Sequence, residues 1–428
     1  MPHINLKPSI IHTPQKAALT VNKMAPFSKD ILYLIRKNPA SIGGVQRLTS
    51  KIISGVSDFF ETDQITWTGA EWGAPFYFPI FYWKAIRNQA SLVHCDDTVT
   101  ALLGARVKSA TGKIVITWAH GLDVILPIAW YQRRVAATLP QLDRIICPSR
   151  ATARQVESRG VDPRKIEIIP AAAEIPSKVI AKNESLYAEI ERELGIDLRH
   201  KRALISLGRP VARKGFDYFA ERVFPHLPDD YVYIVAGPKP KTPFWINDLR
   251  PIIGKRLHHN LMLASGAVSV HDRLITLSKH PRIFYINGVS ESLRERLLAV
   301  SDLFIMPNRT VDGDMEGFGL VALEASIRGI PVIATGIEGI VDAVIDGKNG
   351  FCVSEGDWGA MAGIIMALLN DPMHLDDIGR RAAEFSARVF SQEVILGKYR
   401  ALYESLLTGG ARFGRMTNPS EKERFLRK

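Results

Sequence analysis

A chain of 428 residues, 46% hydrophobic and 23% charged, exceeds the roughly 100 to 200 residues that one core serves, and its composition is neither disordered nor fibrous. The net charge of +11 admits an anionic ligand or an anionic membrane surface, but Lys and Arg are spread along the whole length without a nucleic-acid motif, so nucleic acid is not an expected partner. No stretch approaches the ~20 apolar residues of a membrane span, the start lacks a signal-peptide core, and Cys95, Cys147 and Cys352 lie singly in or beside apolar runs, as buried thiols in a reducing compartment do.

These features lead us to expect a cytoplasmic protein, free or at the inner face of a membrane. Oligomeric state is not legible in the sequence. After an irregular basic segment, residues 1–28, "DILYLIRKNPASIGGVQRLTSKIISGV" reads as a strand, a glycine loop and a helix. The runs "ASLVHC", "KIVITWAHG", "DRIICPS" and "KIEIIP" then alternate with helical stretches, the pattern of parallel strands joined by crossover helices. Among them "EWGAPFYFPIFYWKAIRNQ" packs seven aromatics between Glu71 and Gln89. Core packing of a helix is the favoured reading of that 72–83 segment. Docking at a membrane interface or stacking on sugars, with Lys84 and Arg87, is the alternative.

From Ala171 to about Lys201 the chain turns polar, with a helix expected over Glu184 to Gly195, and this marks the interdomain boundary. Alternation restarts with "RALISLG", "YVYIVAG", "RIFYING", "DLFIMP", "IPVIAT" and "GFCV", a second parallel sheet. The expected plan is α/β: an acceptor domain over 29–185, a donor domain over 186–387, a Ser-capped helix "SQEVILGKYRALYESLL" within 388–408, and a basic tail, 409–428. The carboxyl ends of both strand sets should face a common cleft, where open α/β sheets bind ligands.

In "MEGFGLVALEAS", residues 315–326, Glu316 precedes a Gly-Phe-Gly turn and Glu324 sits in an apolar helical run. Gly317 and Gly319 let the backbone approach a ligand, and the amides opening the helix offer an anion site. At ~1.5 Å per residue the two acids stand up to ~12 Å apart, beyond the ~5 to 9.5 Å of a hydrolytic carboxylate pair. They read as separate grips on an extended polyhydroxylated ligand, although two glutamates at this spacing also arise by chance.

Glu316 with "GFGLVALEA", then "GIPVIAT" and "DGKNGFCV", resembles the nucleotide-sugar site of the retaining GT-B glycosyltransferases of family four. The resemblance implies that Glu316 holds donor-sugar hydroxyls, that Gly317, Phe318, Gly319 and Leu320 border the donor, and that Glu324 holds the ribose. "ALISLGRPVARKGFDYF" resembles the family's strand followed by G-R and K-G, which implies that Arg209 and Lys214 bind the donor diphosphate. "GGVQR" resembles its glycine loop, placing Gly43 and Gly44 beside the phosphates and the acceptor. "ITWAHGLD" resembles its strand-end histidine segment, placing His120 near the donor sugar and the reacting carbon. "IFYINGVSESLRERLLAVSDLFIMPN" is similar to the nucleobase-binding segment, with Gly288 and Val289 acting through backbone groups. "SLVHCDD" sets His94, Asp96 and Asp97 at another strand end as candidate acceptor contacts.

The resemblance implies two Rossmann-like domains with a final helix crossing back to the first. It also implies a retaining, hexosyltransferase-type reaction that requires no metal and no cofactor. A UDP- or GDP-linked sugar would serve as co-substrate and a saccharide or lipid-linked acceptor as partner, in cell-envelope polysaccharide or glycoconjugate synthesis. A GT-B sugar phosphorylase, a nucleotide-sugar epimerase and a non-catalytic carbohydrate- or nucleic-acid-binding protein are the alternatives. Three departures stand out. "GIEGIVDAVIDGKNG" has Glu338 where the family has glycine and Asp342 in the acidic position, which should bear on sugar choice. "DGD", Asp312 to Asp314, is expected to be a solvated loop rather than a metal site. "IIPAAAEIP" lacks the Asn-Gly common after that strand.

Overall fold

The computed structural model describes residues 30–36, 44–66, 74–176, 180–239, 254–264 and 268–409. The basic segment 1–28, Gly43, Trp72 and the tail beyond 409 lie outside the described residues. Two six-stranded parallel sheets organise the rest. The first comprises β1 (Ile31–Ile35), β2 (Thr62–Thr66), β3 (Leu92–Cys95), β4 (Ile114–Trp118), β5 (Arg144–Cys147) and β6 (Ile166–Ile168), in the order β2-β1-β3-β4-β5-β6. The second comprises β7 (Arg202–Leu207), β8 (Tyr231–Gly237), β9 (Ile283–Asn287), β10 (Leu303–Met306), β11 (Val332–Thr335) and β12 (Gly350–Val353), in the order β12-β11-β10-β7-β8-β9. Every apolar run quoted above is a strand. The addition is β2, whose polar "TDQIT" lies half-buried at a sheet edge.

Strand order reverses between β1 and β3 and again between β7 and β10. Loops diverge to opposite faces at such switch points and leave a crevice at the carboxyl ends of the strands. This is the two-domain GT-B layout that the resemblance implies.

Period-two alternation splits each strand between two cores. Leu32, Leu34 and Val93 pack with Phe81 and Val107 on one face of the first sheet, while Ile31, Tyr33 and Ile35 pack on the other with Ile395, Tyr399 and Tyr403. The last three belong to the helix Gln392–Leu407, capped by Ser391, which returns from the second half of the chain to the first sheet. Hydrogen bonds fasten it there: Tyr403 Oη lies 3.0 Å from Tyr33 Oη and 2.7 Å from His94 Nδ1, and Trp118 Nε1 donates to Tyr399 Oη at 2.7 Å. The chain passes between the halves at two adjacent points, where Ala173 N donates to Phe390 O at 2.7 Å.

The polar stretch contains the helix Glu184–Leu194, capped by Asn183 and ended by a left-handed Gly195, with Leu186 and Ile190 packed in the second core. In the helix Ala74–Arg87, Phe81 and Ala85 are buried, as core packing requires, while Trp83 is 51% exposed on the other face. Cys95 and Cys147 are buried and Cys352 is half-buried, all as free thiols.

Candidate functional site

At the switch point of the second sheet, β7 leads through Gly208 and Arg209 into the short turn Ala212–Lys214, and β10 leads through Asn308 into the loop carrying Glu316. Lys214 Nζ lies 2.6 Å from Glu316 Oε2, and Asn308 Nδ2 donates to the same oxygen at 3.1 Å. Arg213 adds its Nε at 3.5 Å from Glu316 Oε2 and its Nη1 at 3.3 Å from Asp314 Oδ2. Burial pushes the Glu316 carboxyl up, but Lys214 and Arg213 together outweigh it and hold the group at about 2. Burial pulls the Lys214 ammonium below its usual value, with Glu316 opposing. Arg209 is exposed at the rim beside them. Asp314 is buried and ion-paired while Asp312 is exposed, so only half of the "DGD" loop is solvated as expected.

The first domain meets this loop directly. A Cβ on Gly317 would stand 2.1 Å from the His120 carbonyl oxygen, so only glycine fits, and Ser149 Oγ donates to Gly317 O at 2.7 Å. The ends of β4 and β5 therefore close on the Glu316 turn, with the His120 backbone against Gly317. The His120 ring is tethered through Nε2, 2.7 Å from Asp96 O, and the backbone N–H of His120 donates to Asp123 Oδ1 at 2.8 Å. Gly319, at φ 97°, turns the chain into the helix Leu320–Ser326. Phe318 is 5% exposed and packs on Phe390, so its side chain is core and only its backbone is available to a ligand. The helix has seven residues, too short for a strong dipole.

Glu324 is tied to Arg294 by a short ion pair and lies 3.8 Å from Arg47 Nη2. Arg47, in the helix that Gly44 opens, also reaches Glu291 at 2.9 Å across the cleft. Asp342, in the family's acidic position, likewise crosses the cleft, accepting from Arg150 N at 2.7 Å and Arg150 Nε at 2.5 Å. Gly288, at φ 81°, is exposed at the end of β9 and donates its N–H to Gly237 O at 3.1 Å, while Val289 is partly buried on the second core.

The three candidate acceptor contacts each have protein partners. His94 is fully buried, its ring centroid 3.9 Å from that of Trp118, and it holds the returning helix through Tyr403. Asp97, 6% exposed, caps the helix Thr98–Thr111 in a capping box with Thr100 and pairs with Arg36 Nε at 2.6 Å. Asp96, 8% exposed, accepts from Thr49 Oγ1 at 3.1 Å and is pushed up to about 6 by burial and by Asp97.

Sequence reasoning missed Arg213, Asn308, Arg294 and Arg150. Only Arg213 had a local signal, its place next to Lys214 in "ARKG". Among the described residues, no group of three or more His, Cys, Asp or Glu side chains is arranged to hold a metal ion, and no helix is long and apolar enough to cross a membrane.

Two family models match in series: Glycosyltransferase Family 4 over residues 61–174 and Glycosyl transferases group 1 over residues 189–385. The capsular polysaccharide biosynthesis glycosyltransferase CapM of Staphylococcus aureus is 30% identical over 131 residues, 31% of this chain and 33% of that protein. The GDP-mannose-dependent alpha-(1-6)-phosphatidylinositol monomannoside mannosyltransferase of Mycolicibacterium smegmatis is 27% identical over 288 residues, 65% of this chain and 67% of that protein. The chain thus spans from one third to two thirds of the length of these curated relatives. The crystal structure of Anabaena HepE in complex with UDP and glucose shares the fold at a TM-score of 0.67 and 17% identity, over 88% of this chain and 100% of that one.

Proposed function

Because the chain belongs to the group 1, family four glycosyltransferases, we propose that it moves a sugar from a UDP- or GDP-linked donor to a hydroxyl of a saccharide or glycolipid acceptor, with retention at the anomeric carbon. The observation that carries the reading is the Lys214–Glu316 contact at the second switch point, flanked by Arg213 and Arg209. In the reaction the bond from the anomeric carbon to the diphosphate oxygen breaks and a bond to the acceptor oxygen forms, while the acceptor proton passes to the departing diphosphate. Lys214, Arg209 and Arg213 offset the growing negative charge, a task that three cations perform without calling on a metal ion. Glu316 accepts hydrogen bonds from donor-sugar hydroxyls, and Glu324 takes the ribose in exchange for part of its pairing with Arg294. His120 borders the reacting carbon. Front-face substitution accounts for retention in this reading. Cleft closure brings donor and acceptor into register.

The relatives' names support both donor bases, since one uses GDP-mannose and HepE holds UDP with glucose, and they support an envelope polysaccharide or glycolipid product. A membrane partner fits the helices Ala74–Arg87, Thr98–Thr111 and Ala129–Thr138, which contain no acidic residue. They expose Trp83 and Trp130 beside Lys84, Arg87, Arg133 and Arg134, a combination suited to an anionic bilayer surface. The test of the function is nucleotide release from a panel of UDP- and GDP-sugars, with and without saccharide acceptors. Glu316→Gln and Lys214→Ala should each lower transfer by about 100-fold or more. Full transfer in both variants, or no nucleotide-sugar binding by calorimetry, overturns the proposal.

A further inference from the structure

Glu338 occupies the turn after β11, and its backbone lies at φ 49°, a left-handed conformation that a Cβ disfavours. The position is shaped for glycine, yet a long acidic side chain stands there and is put to use. Its Oε2 accepts the N–H of Glu316 at 2.5 Å, and the next amide, Gly339 N, donates to the Glu316 carbonyl at 3.1 Å. Both backbone polar groups of Glu316 are therefore held by one two-residue turn. The charged groups facing Glu338 are the Glu316 carboxylate, Arg213 and Asp314, and that guanidinium is already shared between the other two acids. Glu338 thus shares Arg213 with two other carboxylates, of which Glu316 is also paired with Lys214.

We infer that Glu338 is the positioning residue for Glu316 and that it takes up a proton from solvent when a nucleoside-diphosphate sugar enters the site. The inference rests on the donor reading given above. A diphosphate drawn to Arg209, Arg213 and Lys214 brings about two negative charges next to Glu338 and engages the guanidinium that offsets its charge, so the neutral acid gains on the carboxylate. Burial and Glu316 already push Glu338 up to about 7, which puts the change within reach of neutral pH. The grip on Glu316 survives the proton, because the carbonyl oxygen of a carboxylic acid still accepts the Glu316 N–H. The new O–H can donate to a phosphate or sugar oxygen.

The sign follows from linkage. A site that binds its ligand with a proton binds it more weakly as pH rises through the free-state value near 7, by up to about tenfold per pH unit. Calorimetry with UDP-glucose, UDP-N-acetylglucosamine and GDP-mannose as probes, whose diphosphate diesters do not titrate near neutrality, is run at pH 7.5 in buffers of different ionisation enthalpy. For the donor that binds, the heats should report uptake of about half a proton or more in the native protein and none in Glu338→Gln. Glu338→Gly, which relaxes the backbone, should also take up no proton and should lose about tenfold in kcat, with the loss reversed in Glu338→Gln. Buffer-independent heats with measurable binding, or uptake unchanged in Glu338→Gln, overturn the inference while leaving the donor reading intact. No binding of any probe, with no transfer, overturns the donor reading and this inference with it.

Discussion

Glu316→Gln removes the one anion that Lys214 shares with Arg213, and the three side chains are only 12%, 9% and 14% exposed respectively. Solvent therefore does little to compensate. Glu316 sits at about 2 against an ordinary value near 4.5, a difference worth about 3 kcal/mol of folding stability at 1.36 kcal/mol per pH unit. Burial lowers Lys214 at the same time, so the two partners point in opposite directions energetically and the net contribution of the pair is smaller, about 2 kcal/mol. Urea unfolding at pH 7 should show a loss of about 2 to 3 kcal/mol in Glu316→Gln, since the variant strands the buried Lys214 ammonium while Arg213 keeps only Asp314. A depressed carboxyl stabilises the fold above its unfolded value and stops doing so as pH falls towards its folded value. The gap between variant and native protein should accordingly shrink below about half by pH 3. The double variant Glu316→Gln, Lys214→Met should recover at least about 1 kcal/mol relative to additivity. A loss under about 0.5 kcal/mol at pH 7, or a gap that does not change with pH, refutes the reasoning.

Gly317→Ala drives a methyl group into the His120 carbonyl, so it should abolish transfer while small-angle scattering reports a more open molecule with unchanged secondary structure. Unchanged activity would show that the cleft does not close at this point. Tyr403→Phe strips the partner from both Tyr33 Oη and His94 Nδ1, in a ring cluster where His94 Nε2 already has none, and should cost about 1 to 3 kcal/mol in thermal unfolding. A shift within error would mean that these contacts do not fasten the returning helix. Trp83→Ala with Lys84→Gln and Arg87→Gln should reduce sedimentation with phosphatidylglycerol vesicles several-fold and leave donor binding unchanged. Equal sedimentation would discard this face as the docking surface.

The strands were legible because parallel sheets buried on both faces demand continuous apolar runs, which "YVYIVAG" and "RALISLG" provide. β2 was not, since an edge strand that is half-buried can be built from "TDQIT". The Lys214–Glu316 pair was legible through its flanking motifs, although contact between the two residues was not. The surroundings of His94, Asp96 and Asp97 were not legible for a geometric reason. A strand end fixes where a residue lies but alternation decides which way it points, and His94 points into the packing beneath Tyr403. Asp97 carried a readable warning in the spacing Asp97-x-x-Thr100, a helix-capping pattern that competes with any ligand role. Arg294 and Arg150 approach their acids from distant parts of the chain, and no local pattern announces such pairs.

The bond from Ala173 N to Phe390 O places both crossings of the chain side by side, and Ser391 pairs with Ala173 at the same spot. Two connections at one place have the geometry of a pair of door pins, which permits a swing about a single line and resists sliding or twisting. Glu324 and Arg47 line one crevice with Ala173 and Gln392, next to the pins, where swinging displaces atoms least. On the donor reading proposed above, a nucleoside held there would stay gripped while the door stands ajar. On the same reading, the contacts of Ser149 with Gly317 and of Arg150 with Asp342 are the ones that closure would make and opening would break.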